Sequence, residues 1–377
     1  MSSSTGILVF LLKLFFQPFR LLKPRNKIVM ITRQSDSPTL DFILLRDAII
    51  KKNPSEKVVI LAKTLGKSNS EKFSYILHMF TQMYHLATSH IIIVDGYCMA
   101  VCILPHKKNQ KVIQTWHAVN VIKKFGYLAL DMPYGRKSDY AIPMRMHRNY
   151  DYITSCGIET GKILAKSFDC DESKVKLMGL PRIDYIRTKN EKVYNAILRD
   201  YPQVAEKPCI LYAPTFRKGR PVKLNSLLKA VDLDKYNLIV KLHPVDMAGF
   251  TDGIDSRIIC DTKYLSYDWL WHCQKIITDY SGIGIESALL SKELYFYFYD
   301  YEDYCRKNGL IMDMKKEPVS KYVAYNSRQL EKMLSKEYDP SAVQKFLERY
   351  IDIPLDDCSG QFADWVLELQ DWLHNMK

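Results

Sequence analysis

The run Gln114-Thr115-Trp116-His117-Ala118-Val119-Asn120-Val121-Ile122-Lys123-Lys124-Phe125-Gly126 places two lysines shortly after a histidine. It follows Lys111-Val112-Ile113, an apolar stretch that reads as a buried strand, so His117 stands where a strand opens into a loop. Ligands of open α/β sheets bind at that edge. A histidine there, with cations nearby, fits a proton acceptor beside an anionic substrate. A histidine satisfied inside a strand–helix turn is the competing reading of this run taken alone.

Four further strand ends carry polar residues. Cys209-Ile210-Leu211-Tyr212 leads into Ala213-Pro214-Thr215-Phe216-Arg217-Lys218, where the planar fork of Arg217 suits a diphosphate, although a solvated place in a loop is the commoner fate of any single arginine. Leu238-Ile239-Val240 leads into Lys241-Leu242-His243-Pro244, and the proline turns His243 away from helical geometry. Ile276-Ile277-Thr278 leads into Asp279-Tyr280-Ser281-Gly282-Ile283-Gly284-Ile285-Glu286, a strand, a Ser/Gly turn and a helix. Amides at such a helix start make an anion site without a metal, Gly282 and Gly284 admit phosphate oxygens, and Glu286 is within reach of a ribose hydroxyl. A glycine-softened helix cap with no ligand is the alternative. Tyr299-Asp300-Tyr301-Glu302-Asp303-Tyr304 follows the last strand and lines either a cleft or an aromatic–acidic surface loop.

These ends need a scaffold, and the chain supplies one twice. Apolar runs at 27–32, 58–62, 90–94, 112–114, 152–155 and 175–178 alternate with helical segments at 42–51 and 73–87, and a second series follows at 209–212, 238–242, 257–259, 275–278 and 294–297. Nearly continuous apolar strands alternating with helices imply parallel sheets covered on both faces. The expected organisation is a segment 1–24, a first α/β domain over 25–182, a charged helical link over 183–206, a second α/β domain over 207–355, and a last helix within 356–377. That helix carries Phe362, Trp365, Val366, Leu369, Trp372 and Leu373 on one face. Two such domains facing one another would form a cleft for nucleotide and acceptor.

Composition narrows the partners. The chain has 377 residues, 47% hydrophobic, with 54 Lys+Arg against 42 Asp+Glu and a net charge of +12. Such an excess fits phosphorylated substrates or an anionic membrane face; nucleic acid is not expected, since no zinc-finger or RNA-binding signature accompanies it. The nine cysteines form no CxxC pair and sit largely in apolar runs, as thiols of a reducing compartment do, and no metal site is expected. Residues 6–23 are strongly apolar but interrupted by Lys13 and Pro18, too short to span a bilayer and lacking a secretory cleavage site. With Lys13, Arg20 and Lys23 they suit a helix lying in the cytoplasmic headgroup layer; an ordinary buried helix is the alternative.

Taken in order, Trp116-His117 with Lys123-Lys124-x-Gly126, Tyr212-Ala213-Pro214-Thr215-Phe216-Arg217, Lys241-Leu242-His243-Pro244, the run 278–287 and the run 298–304 strongly resemble the CDP-glycerol glycerophosphotransferases of teichoic acid synthesis, over about residues 90–310. The resemblance implies two Rossmann-like domains arranged as in B-type glycosyltransferases, peripheral attachment to the cytoplasmic membrane, no cofactor, and a CDP-glycerol or CDP-ribitol donor. The acceptor it implies is a hydroxyl of a polyprenyl-diphosphate-linked saccharide. It makes His117 the catalytic base and puts His243 at the donor phosphates. Thr215, Arg217, Asp279, Ser281 and Gly282 then surround the diphosphate, Glu286 lies near the ribose, and Asn120, Lys123 and Lys124 bind acceptor or phosphate. Ala118-Val119-Asn120 depart from the glycine and polar residue usual after the Trp–His pair, which leaves acceptor and alditol open. The length resembles a short primase-type member. A capsular alditol-phosphate transferase, a nucleotide-sugar glycosyltransferase and a non-catalytic scaffold of a wall-polymer complex are the rivals.

Overall fold

The computed structural model describes residues 3–66, 68–215, 217, 222–242, 255 and 257–375. Each apolar run forms a strand where the sequence places one, and the strands assemble into two separate parallel sheets. The first is ordered β2-β1-β3-β4-β5-β6, built from β1 (Arg25–Thr32), β2 (Val58–Ala62), β3 (Ser89–Val94), β4 (Lys111–Gln114), β5 (Tyr152–Ser155) and β6 (Val175–Leu177). The second is ordered β12-β11-β10-β7-β8-β9, from β7 (Cys209–Tyr212), β8 (Asn237–Val240), β9 (Ile258–Cys260), β10 (Cys273–Thr278), β11 (Glu293–Tyr297) and β12 (Val323–Ala324). All pairings are parallel, and the central strands are buried on both faces: Ile28 to Met30 and Leu238 to Val240 are 0% exposed. Helix-covered parallel sheets require this. The fold class is therefore α/β with two Rossmann-like units, as the sequence implies.

In each sheet one pair of neighbouring strands marks the point where the winding reverses. These are β1 and β3 in the first sheet and β7 and β10 in the second. Ligand crevices of such sheets open outside the carboxyl ends of those strands.

The helices used below are α1 (Ser3–Phe16), α2 (Leu40–Lys52), α3 (Asn69–Thr88), α4 (Met99–Ile103), α5 (Ile158–Phe168), α6 (Ile283–Ala288) and α7 (Cys358–Asn375). The chain divides into one compact unit of residues 1–119, 125–184 and 351–377 and another of 120–124 and 185–350. Grouping by contact thus puts residues 1–24 in the first unit and 185–206 of the expected link in the second, and two further differences have a visible cause. The apolar stripe of α7, with Phe362, Ala363, Val366, Leu369 and Leu373, closes the core formed by Phe42, Leu45 and Ile49 of α2 and Ile28, Met30, Ile91 and Ile93 of the first sheet. Asp184 caps that helix, accepting from the amides of Cys358 at 2.8 Å and Ser359 at 2.7 Å. The second difference is residues 120–124, whose backbone pairs with residues of the second unit.

Candidate active site

In the first unit the candidate residues lie around the exit of β4. Thr115 is still tied to the sheet through its amide on the Val94 carbonyl at 2.8 Å, and the Gln114 side chain reaches across to the Gly96 carbonyl at 3.1 Å. Trp116 then takes a left-handed backbone, φ 59°. A bulky residue held there stores about 1–3 kcal/mol, which persists only if its surroundings over-determine it. They do so here. The Trp116 amide donates to Gln114 Oε1 at 2.8 Å, the Thr115 hydroxyl donates to the Trp116 carbonyl at 3.0 Å, and the indole stacks on Phe125 at 4.3 Å with Phe168 edge-on at 5.4 Å.

This turn delivers His117 with its Nδ1 2.9 Å from the Asp95 carbonyl. A carbonyl oxygen only accepts, so Nδ1 carries the proton and the lone pair of the neutral ring sits on Nε2. That is the tautomer a general base needs. The neighbouring His147 is buried, and burial, then Arg136 and His117, lower its pKa to about 3, so it stays neutral and adds no competing cation at ordinary pH.

Sequence reasoning missed Asp95 and Gln34, which lie one residue beyond β3 and two beyond β1 at the reversal point of the first sheet. The rule that singled out His117, a polar residue within three positions after an apolar strand, covers both. Asp95 is 2% exposed, its Oδ1 has no hydrogen-bond partner among the described residues, and burial pushes its pKa up to about 7. Its proton is therefore bound more tightly folded than unfolded. The stability this contributes is fully present below pH ~4 and is lost as pH rises through 7. Asp95→Asn should leave stability little changed near pH 4 and raise it at pH 8 by up to about 4 kcal/mol, read from urea unfolding at both pH values. Equal effects at the two pH values would show that Asp95 is ionised throughout.

In the second unit the candidate residues lie at the β7/β10 reversal. Asp279, 0% exposed, accepts from the Thr215 amide at 2.7 Å and the Tyr280 amide at 2.6 Å, stapling the two loops together. Arg217 completes the staple. Its guanidinium reaches Asp279 Oδ2 at 2.8 Å, Asp300 Oδ2 at 2.6 Å through Nε, Asp300 Oδ1 at 3.1 Å and the Thr215 carbonyl at 2.9 Å. Tyr299 lies beneath it, 4.8 Å from ring centre to guanidinium carbon, and Tyr280 stacks on Tyr304 at 3.7 Å and Phe298 at 4.6 Å. The fork expected on a diphosphate is thus taken up by two carboxylates, and Arg217 holds the loop that carries Thr215. Among the described residues the Thr215 hydroxyl itself is buried without a hydrogen-bond partner.

The lysine run belongs to this unit as well. Ile311 and Lys124 donate their amides to the carbonyls of Ile122 at 2.8 Å and Gly309 at 3.1 Å, and Asn308 caps the Lys124 carbonyl at 3.2 Å. Lys123 therefore lies in the field of the same cluster: burial lowers its pKa, Asp279 opposes the shift, and Arg217 adds to it. Asn120 is 2% exposed, and its side chain accepts from the Val121 amide at 2.6 Å. The contiguous motif splits, with His117 in the first unit and Asn120, Lys123 and Lys124 in the second.

Around α6 the outcome is mixed. Ser281 and Gly282 form the β10–α6 turn and remain partly accessible. Gly284 has a packing role: a Cβ there would sit 3.1 Å from Phe296 Cε1 and 3.4 Å from Thr278 Cγ2, so its absence lets the helix close on the sheet. Glu286 is buried in the same helix, 3% exposed. His243 lies outside the described residues.

Three comparisons bear on identity. The family profile for CDP-glycerol:poly(glycerophosphate) glycerophosphotransferase matches residues 13–361. The teichoic acid ribitol-phosphate primase of Bacillus spizizenii is 29% identical over 355 residues, covering 90% of each chain. The teichoic acid glycerol-phosphate primase of Bacillus subtilis is 29% identical over 282 residues, covering 73% of this chain and 72% of its own. A solved structure of the wall teichoic acid polymerase TagF superposes with a TM-score of 0.75 over 98% of this chain and 96% of that one, at 18% identity, a likeness of fold. On the extent of the profile match, the chain belongs to the CDP-glycerol:poly(glycerophosphate) glycerophosphotransferase family.

Proposed function

We propose that this chain transfers an alditol phosphate from a CDP-alditol to a hydroxyl of a polyprenyl-diphosphate-linked saccharide, in the synthesis of teichoic acid or a related surface polymer. The acceptor oxygen attacks the alditol-bearing phosphorus, the bond from that phosphorus to the bridging oxygen breaks, and CMP leaves with the electron pair. His117 Nε2 takes the hydroxyl proton. Thr215, Ser281, Gly282 and Lys123 of the second unit, with His243, hold and neutralise the diphosphate, while Arg217, Asp279 and Asp300 fix the loops that present them. Transfer of this kind asks for positioning and charge stabilisation more than for covalent chemistry. The observation carrying this reading is that the motif residues gather at strand carboxyl ends, Thr215 and Asp279 at the reversal point of the second sheet and His117, after β4, bonded to Asp95 at that of the first.

Glycerol is the alditol in the family's description, and ribitol is the one in the name of the Bacillus spizizenii relative matched over 90% of both chains. Parallel incubations with CDP-glycerol, CDP-ribitol and a UDP-sugar, with products resolved by mass, separate the two donors from a glycosyltransferase. Turnover of the UDP-sugar alone would overturn the proposal.

The acceptor's lipid calls for a membrane surface, and we assign that role to α1 and α3. Among the described residues no helix is long and apolar enough to cross a membrane. α1 buries Leu12 and Phe16 and exposes Ile7 by 57%, Phe10 by 64% and Leu14 by 50%. α3 presents Phe73, Ile76, Leu77, Phe80 and Tyr84, spaced along one helical stripe, and Phe15 meets Phe80 edge-on at 5.7 Å, joining the two. Lys13, Arg20 and Lys23, in and shortly after α1, are exposed as well. Changing Phe10, Leu14 and Phe73 together to serine should weaken binding to phosphatidylglycerol vesicles by at least ~100-fold, since each buried side chain is worth about 1.5–3 kcal/mol. Unchanged sedimentation with vesicles would remove this face from the reading.

A further inference from the structure

We infer that the Gln34 carboxamide, with its oxygen turned toward His117, sets the basicity of that histidine. The inference rests on the reading of His117 as proton acceptor. Among the described residues, His117 Nδ1 lies near the Asp95 carbonyl at 2.9 Å and the Gln34 carboxamide, whose Nε2 is 3.2 Å away. The carbonyl obliges Nδ1 to donate, so an amide NH₂ at 3.2 Å sets one donor against another. A half-turn of the carboxamide exchanges nitrogen for oxygen in the same volume, and the two are distinguished only by the hydrogen bonds they make. Among the described residues Gln34 Oε1 makes no hydrogen bond in the opposite orientation, so the half-turn loses none there.

With the oxygen inward, the Nδ1 proton is shared between two acceptors. Both strengthen as the ring gains its second proton at Nε2, because a hydrogen bond from a cation is roughly twice as strong as a neutral one. Gln34 therefore favours imidazolium and makes Nε2 the better base.

The position is built. Gln34 is the second residue beyond β1, its amide donates to Thr32 Oγ1 at 3.1 Å, and a Cβ at Gly96 would lie 3.0 Å from its Nε2. Space for the carboxamide beside the histidine thus depends on glycine at 96. The ionisable groups nearby among the described residues include the Asp95 carboxyl beyond β3; Arg33, which donates to the Tyr97 carbonyl at 3.1 Å and lies over the Tyr75 ring at 5.4 Å; the Tyr97 phenol, whose pKa burial raises; and the neutral His147 with Arg136. Of these only Asp95 titrates near neutrality, so Asp95→Asn is the background in which His117 is read.

The test uses the full chain, ¹⁵N-labelled, without ligand. Long-range ¹H–¹⁵N spectra report which ring nitrogen of His117 is protonated and the pH at which the ring titrates, with His117→Gln giving the assignment. The expected result is an Nδ1–H tautomer whose midpoint rises by about one pH unit in Gln34→Glu, an opposite charge within a few ångströms, and falls in Gln34→Leu. Gln34 is exposed, so neither change disturbs the core. A midpoint that stays put in both variants, or an Nε2–H tautomer, overturns the inference. The acid limb of turnover in the same variants, measured with CDP-glycerol or CDP-ribitol, should move with the ring. A ring that shifts while the limb does not leaves Gln34 acting on His117 and removes His117 as the base, so the two failures are told apart.

Discussion

His117→Ala should lower turnover by at least ~10²-fold, since a positioned general base contributes about 10² to 10⁴. Three features make the loss specific to the proton. The Nδ1 contact to the Asp95 carbonyl at 2.9 Å fixes the tautomer, the strained turn at Trp116 fixes the ring's origin, and His147 is held neutral alongside. None of the three belongs to the second unit, so affinity for CDP-glycerol or CDP-ribitol, measured by calorimetry, should change little. His117→Gln keeps a similar volume and should fall as far as alanine, because a carboxamide does not accept the proton at neutral pH. A purified His117→Ala protein with near-normal rates would take the residue out of the mechanism.

Arg217→Ala should destabilise the second unit by about 3–5 kcal/mol. Removing one member of a buried ion cluster leaves charge without compensation, and here two carboxylates lose their partner at once. Arg217 and Asp279 have side chains 3% and 0% exposed, and Asp300 15%. Solvent does little to screen any of them. Arg217→Lys should restore only part of this, since a single ammonium cannot span Asp279, Asp300 and the Thr215 carbonyl as the fork does. Urea unfolding measures the loss, and donor affinity should fall with it because Thr215 moves when its loop is released. An Arg217→Ala protein of normal stability that fails only in donor binding would instead make Arg217 a direct phosphate contact.

Arg217 also shows how far a sequence carries the argument. Its chemistry, a fork suited to two oxygens, is legible from residue type; which oxygens it meets is not. Asp279 and Asp300 lie at the ends of other strands, and only the sheet order brings them together. The strands themselves were legible because parallel sheets demand unbroken apolar runs, such as Ile28 to Ile31 and Ile276 to Thr278. β12 was not, being two residues long. The stripe on α7 announced that something covers it, without saying which sheet. Within the site, His117 and the Asp279–Ser281 turn stood out because a strand precedes each. Gln34 and Asp95 passed unnoticed as single polar residues without a motif, although the same rule applies to them. Gly284 looked like a phosphate-approach glycine because packing against Phe296 requires the same missing side chain. The division of one contiguous motif between two units could not be anticipated, since it depends on backbone bonds of Ile122 and Lys124 with Ile311 and Gly309 and on the Asn308 side chain at the Lys124 carbonyl.

The most direct test of the account is acceptor-dependent release of CMP by the purified chain. CDP-glycerol and CDP-ribitol are each supplied with and without a soluble polyprenyl-diphosphate-saccharide analogue, with the acceptor weighed by mass spectrometry. The account predicts CMP in step with an acceptor heavier by one or more alditol phosphates, and neither product in His117→Ala. CMP release that ignores the acceptor, or an acceptor that gains a sugar without phosphate, would contradict it.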